Sequence, residues 1–144
     1  MNLNMLFKRH NNSRKSHLKN LLEVALADGQ LDNDEYVLLL SLARKLDISD
    51  QEIKNIRENP GLITFKPPAS HKKRFEQVYD LVCMMMIDGV IHQKELDFCK
   101  SMALKLGYMP RIVDDFIESI RDNVKKGIPK ELSFKELAGL IQLS

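Results

Sequence analysis

Two short stretches of the chain place carboxylates where they could share a hard cation. One runs Asp28-Gly29-Gln30-Leu31 and closes at Glu35; the other runs Asp88-Gly89-Val90-Ile91 and closes at Glu95. An acid, a glycine turn, an apolar residue and a closing glutamate form the second half of an EF-hand loop, which supplies oxygen ligands to calcium. The first half is missing. Its ligand positions fall on Val24 and Leu26 in one stretch and on Met84 and Met86 in the other, and these side chains carry no oxygen. An EF-hand is therefore rejected, and two readings stay open. In the local one, each glycine ends a helix and each glutamate caps the next. That accounts for Glu35 and Glu95. Asp28 and Asp88 then sit at the negative end of a helix dipole, at a cost of ~0.3–1 kcal/mol, unless the following turn donates backbone N–H groups to them. In the other reading a divalent cation lies between Asp28 and Glu35, and between Asp88 and Glu95. Carboxylate ligands favour calcium, magnesium or manganese over zinc or copper.

Other residue types point to weaker chemistry. Cys83 and Cys99 lie eight residues either side of Ile91, near Met84, Met85, Met86 and Met102. A soft-metal or redox thiol site would use such groups. Free cysteine and methionine are also ordinary core residues, and no basic neighbour stands out to activate a thiol, so core packing is preferred. His92 and Glu95 form a His-x-x-Glu pair, but di-metal bundles need acidic partners on four helices, and these are missing. His92 reads as a helix cap. His10, His17 and His71 fall in basic connectors and suggest nothing specific. No phosphate-binding glycine loop, nucleophile elbow or zincin pattern is present. A binding protein is expected, not an enzyme.

The elements that must position these groups follow from an internal repeat. At a constant offset of sixty, Leu21 meets Leu81, Glu35 meets Glu95, Ala43 meets Ala103, Lys45 meets Lys105 and Leu46 meets Leu106, with no gap. Each unit reads as helices. Leu18, Leu21, Leu22, Ala25 and Leu26 have helical spacing from Ser16 to Asp28. Asp32 with Glu35, Ser49 with Glu52, and Ser133 with Glu136 each have the capping-box spacing that starts a helix. Asn59 to Pro68, with Pro60-Gly61 and Pro67-Pro68, is a connector. Beyond it the spacing predicts helices over Ser70–Asp88, Gln93–Leu106, Pro110–Val124 and Phe134–Leu143. The expected fold is all-α, about seven helices in one compact bundle. A basic tail covers residues 1–15 and a single domain residues 16–144, with units at 16–58 and 70–124 and a last helix at 133–143.

Composition agrees. The 144 residues are 44% hydrophobic and 29% charged, with no Trp, which is the balance of a folded helical domain. Residues 1–20 carry five basic side chains and no acid, and residues 61–75 carry four and none. The two units that follow these segments, residues 21–60 and 76–124, are acidic. A nucleic-acid binder concentrates positive charge on one folded face, so nucleic acid is not an expected partner. A protein partner is. The basic tail leaves contact with a membrane surface open, although it is too short and too weakly apolar to anchor alone. No apolar run reaches the ~20 residues of a membrane span, and the first residues lack the order of a secretory leader. The expected location is the cytoplasm.

The two Ala/Ile-Asp-Gly-x-Leu/Ile-x-x-x-Glu elements, each followed by an apolar helix ending Ala-Arg-Lys-Leu or Ala-Leu-Lys-Leu, resemble TerB-like domains, the group that includes tellurite-resistance TerB. The resemblance covers roughly residues 15–124. It implies an all-helical fold, a stress or tellurite-resistance role, and acidic positions that chelate a divalent metal: Asp28 and Glu35, with Asp88 and Glu95. The second loop departs from the pattern, with His92, Gln93 and Lys94 where the first has Asp32, Asn33 and Asp34. Lys94 beside Glu95 would weaken a cation there, so the first motif is the favoured site.

Overall fold

The structure is a computed structural model that describes the backbone of residues 3–27, 29 and 31–142, and the side chains of residues 13–27, 29 and 31–139. Its helices are α1 (Leu3–Leu26), α2 (Asn33–Lys45), α3 (Asp50–Glu58), α4 (His71–Met86), α5 (Gln93–Lys105), α6 (Pro110–Lys125) and α7 (Lys130–Gln142), with a short 3-10 turn at Pro60–Leu62. The described residues contain no strand. The protein is an all-α helical bundle.

The starts of α2 and α3 follow their capping signals. Asp32 Oδ1 accepts a hydrogen bond from Glu35 N at 2.8 Å, and Glu35 Oε1 accepts one from Asp32 N at 3.3 Å. Ser49 and Glu52 do the same at α3. Each box satisfies backbone N–H groups that a first helical turn leaves without partners.

α1 and α4 lie side by side at the centre. Leu18, Leu21, Val24 and Ala25 on α1 and Phe75, Val78, Leu81, Val82 and Met85 on α4 are buried, and α2, α3, α5, α6 and α7 pack around them. Phe75 also gathers Phe116 at 5.9 Å and Phe134 at 5.3 Å between ring centres, tying α4 to α6 and α7. Two arginines repeat one tie: Arg14 Nη1 donates to Leu46 O at 2.7 Å, and Arg74 Nη1, sixty residues on, donates to Leu106 O at 3.1 Å. Each satisfies a carbonyl left unpaired at a helix C-terminus.

Two helices begin earlier than their sequence signals suggest. α1 starts at Leu3, so most of the stretch read as a tail continues the helix, and Arg14 within it makes the tie just described. α7 starts at Lys130, directly after Pro129, rather than at Phe134. Ser133 is therefore inside α7 and not a cap. It is fully buried, and its hydroxyl accepts a hydrogen bond from Asn123 Nδ2 at 2.8 Å. Leu143 lies outside the described residues.

One polar network joins three helices. Asp80 on α4 meets His17 Nε2 on α1 at 2.9 Å and Lys130 Nζ on α7 at 2.6 Å. Burial works to raise the Asp80 carboxyl, but the hydrogen bond and charge of His17, aided by Lys130, outweigh it and hold the group below the usual carboxylate range.

Candidate metal centre

The centre is built by two turns. After α1 the chain reverses at Gly29 (φ 95°), and after α4 it reverses at Gly89 (φ 79°). Glycine adopts these left-handed conformations without steric cost, whereas other residues are strained there. α1 packs against α4, with His17 meeting Asp80, and carboxylates from the two turns converge, so both turns emerge at one end of the bundle. The capping box then fixes two carboxylates at the start of α2. In the other turn, Asp88 Oδ1 accepts a hydrogen bond from Val90 N at 3.0 Å.

One carboxylate oxygen from each of Asp32, Glu35 and Asp88 comes within 4.8 Å of the other two. Ligands at ~2.3–2.6 Å from a calcium ion necessarily stand at such separations from one another, and the donors are oxygen alone. The residues fit a hard divalent cation.

Glu35 is the buried member, with 2% of its surface exposed. Its carboxyl is pushed up to about 7: burial is the main cause, opposed by the backbone hydrogen bond from Asp32 and reinforced by the Asp32 and Glu95 carboxylates. A group held between its two protonation states near neutral pH is one that a nearby positive charge would ionise.

The four acidic positions read from the sequence are placed as follows. Glu35 and Asp88 are brought together, from different motifs. Glu95 is buried beside them, and its charge reaches Glu35, but it is not one of the three converging carboxylates. Asp28 lies outside the described residues. The sequence assigns one pocket to each motif, whereas the described carboxylates form a single cluster across both. Asp32 is the member of this cluster that sequence reasoning did not single out, because its capping role already explained it. The signal was present in the density of acids at Asp32, Asp34 and Glu35.

His92, sixty residues after Asp32, starts α5 without a side-chain cap hydrogen bond. Its Nε2 lies 4.0 Å from Asp88 Oδ2 and 3.8 Å from Glu95 Oε1, between the two acids of its own motif. The departure of the second loop from the pattern thus faces the carboxylates through His92, while Lys94 is exposed.

The thiols are elsewhere in character. Burial pushes Cys83 and Cys99 each up to about 12, aided by Asp80 at Cys83 and by Glu95 at Cys99. Neither is a thiolate at neutral pH, which removes the usual basis of thiol reactivity. No described helix is long and apolar enough to cross a membrane.

No curated protein and no solved structure matches the chain. A family model described as Tellurite resistance protein TerB matches residues 2–58, the span of α1 to α3 that carries Asp32 and Glu35. Residues 2–58 are thus similar to TerB, and they form the first three helices of an all-α bundle with carboxylates gathered at its turns.

Proposed function

We propose that this protein is a non-enzymatic binding module that takes up one divalent cation, calcium, magnesium or manganese, between its two turns and serves a stress or tellurite-resistance function through a protein partner. The observation that carries the reading is the convergence of Asp32 and Glu35 with Asp88. Two carboxylates gathered around a buried third repel it and each other when all are ionised, and a cation relieves that repulsion. Asp28 and Glu95 would complete the shell as carboxylates of the same two motifs.

The test is a thermal melt of the full chain with each metal and with EDTA. A ligand that binds only the folded form stabilises it by about 2.7 kcal/mol at a hundredfold excess over its Kd. The parent is expected to melt higher with metal, and Asp32→Asn, Glu35→Gln and Asp88→Asn are expected to lose that gain. Variants that respond to metal as the parent does would sink the reading.

A metal-free interaction scaffold is the second reading. It is favoured by the local partners already present, the capping box of Asp32 and Glu35 and the turn hydrogen bond of Asp88. A parent that melts identically with metal and EDTA would favour it.

A further inference from the structure

The first turns of α1 combine positive charge with an apolar spacing that suits a helix. Leu3, Leu6, Phe7 and His10 stand at i, i+3, i+4 and i+7, Lys8 and Arg9 fall among them, and no acid precedes Glu23. α4, the counterpart of α1, begins at His71, which corresponds to residue 11 of the first unit, whereas α1 begins at Leu3, eight residues earlier. α1 thus outruns its counterpart by about two turns, or ~12 Å. This stretch cannot meet the turns at Gly29 and Gly89 of its own chain. They lie past the other end of α1, and a helix of 24 residues separates Leu3 from Leu26 by about 35 Å.

Those turns are complementary to it in charge and in apolar character. Residues 27–37 hold four acids, Asp28, Asp32, Asp34 and Glu35, and no base. Residues 87–97 hold Asp88, Glu95 and Asp97 against Lys94 and His92. Leu26, Ile87 and Val90, at the same turns, are exposed. Apolar side chains left in water inside a polar rim mark a surface that another molecule covers.

We propose that the two turns of one copy dock the first turns of α1 of a second copy, Leu3, Leu6 and Phe7 against Leu26, Ile87 and Val90, and Lys8 and Arg9 against Asp32, Asp34 and Asp88. Charge of opposite sign selects this occupant, and the length of α1 forces it to come from another molecule. The contact joins unlike faces, so it is heterologous and grows head to tail into rings or open chains instead of stopping at a two-fold dimer. It shares its carboxylates with the proposed cation but needs no cation, because lysine and arginine supply the positive charge.

Sedimentation velocity of the full chain in EDTA tests this apart from the cation, whose own test is the response of melting to metal, so either reading can fail while the other stands. At low salt the average mass is expected to rise with protein concentration, and to fall back to the monomer in about 1 M salt, where the Debye length is ~3 Å. K8E/R9E and D34K/D88K, which leave the circular dichroism unchanged, are each expected to stay monomeric. Mixed in equal amounts, they are expected to form dimers and go no further, since one native segment and one native pair of turns remain between them. A parent that is monomeric at every concentration, variants that associate as the parent does, or a mixture that stays monomeric would each overturn the proposal.

Discussion

At the scale of single residues, Glu35 is the group whose behaviour says most. Its carboxyl is raised to about 7, mainly by burial, so the folded state holds a proton more tightly than the unfolded chain does. Stability is favoured below the ordinary glutamate range and is lost as pH rises through 7. Glutamine mimics the neutral form and keeps the oxygen that accepts from Asp32 N. Glu35→Gln without metal is therefore expected to melt higher than the parent at pH 8 and equally at pH 4.5, as followed by circular dichroism. Reading this residue from sequence succeeded because a capping box is local. Reading its neighbour Asp88 as a partner did not, because nothing within eight residues of either says that two separate turns will meet. That depends on how α1 and α4 pack, which is a contact sixty residues long.

At the scale of elements, capping patterns predicted α2 and α3 and misplaced α7. The spacing of Ser133 and Glu136 is as good as that of Ser49 and Glu52. Pro129 had already supplied a helix start, since proline suits a position just ahead of the first turn, and the buried Asn123 claimed the serine hydroxyl. Local pattern cannot rank a cap against a tertiary partner. The two roles predict opposite outcomes. Ser133→Ala leaves a buried amide donor unpaired and is expected to cost about 1–3 kcal/mol in urea unfolding, whereas Glu136→Ala, exposed, is expected to stay within about 0.5 kcal/mol of the parent. A capping box would have made both costly. The helical start of α1 was hidden for a related reason. Arg14 sits among basic residues that look solvated, and only the distant Leu46 carbonyl gives it a place.

At the scale of the whole molecule, the fold class was legible from periodicity and turn residues, while the network of His17, Asp80 and Lys130 was not. His17 looked like part of a basic connector, and Asp80 has no motif. Together they join α1, α4 and α7 through a carboxylate that is almost fully buried. Removing one member of such a set leaves uncompensated charge behind, so Asp80→Ala is expected to lose about 3–5 kcal/mol at pH 7 by urea unfolding. The sign with pH follows from the lowered carboxyl. Its contribution is present above about pH 4, the unfolded value, and disappears as pH falls through the lower folded value. The gap between parent and variant should close there.

The meeting of the two turns also sets a mechanical condition on the bundle. Negative charge from each half faces negative charge from the other across a few ångströms, so at alkaline pH the seam between halves is under outward electrostatic pressure at that end alone. The buried side chains of α1 and α4 resist it along the rest of their length. Neutralising the charge, by protons or by a counter-ion, relaxes the pressure without altering a single apolar contact, and the tightness of the seam is thereby linked to the ionic composition of the surrounding solvent.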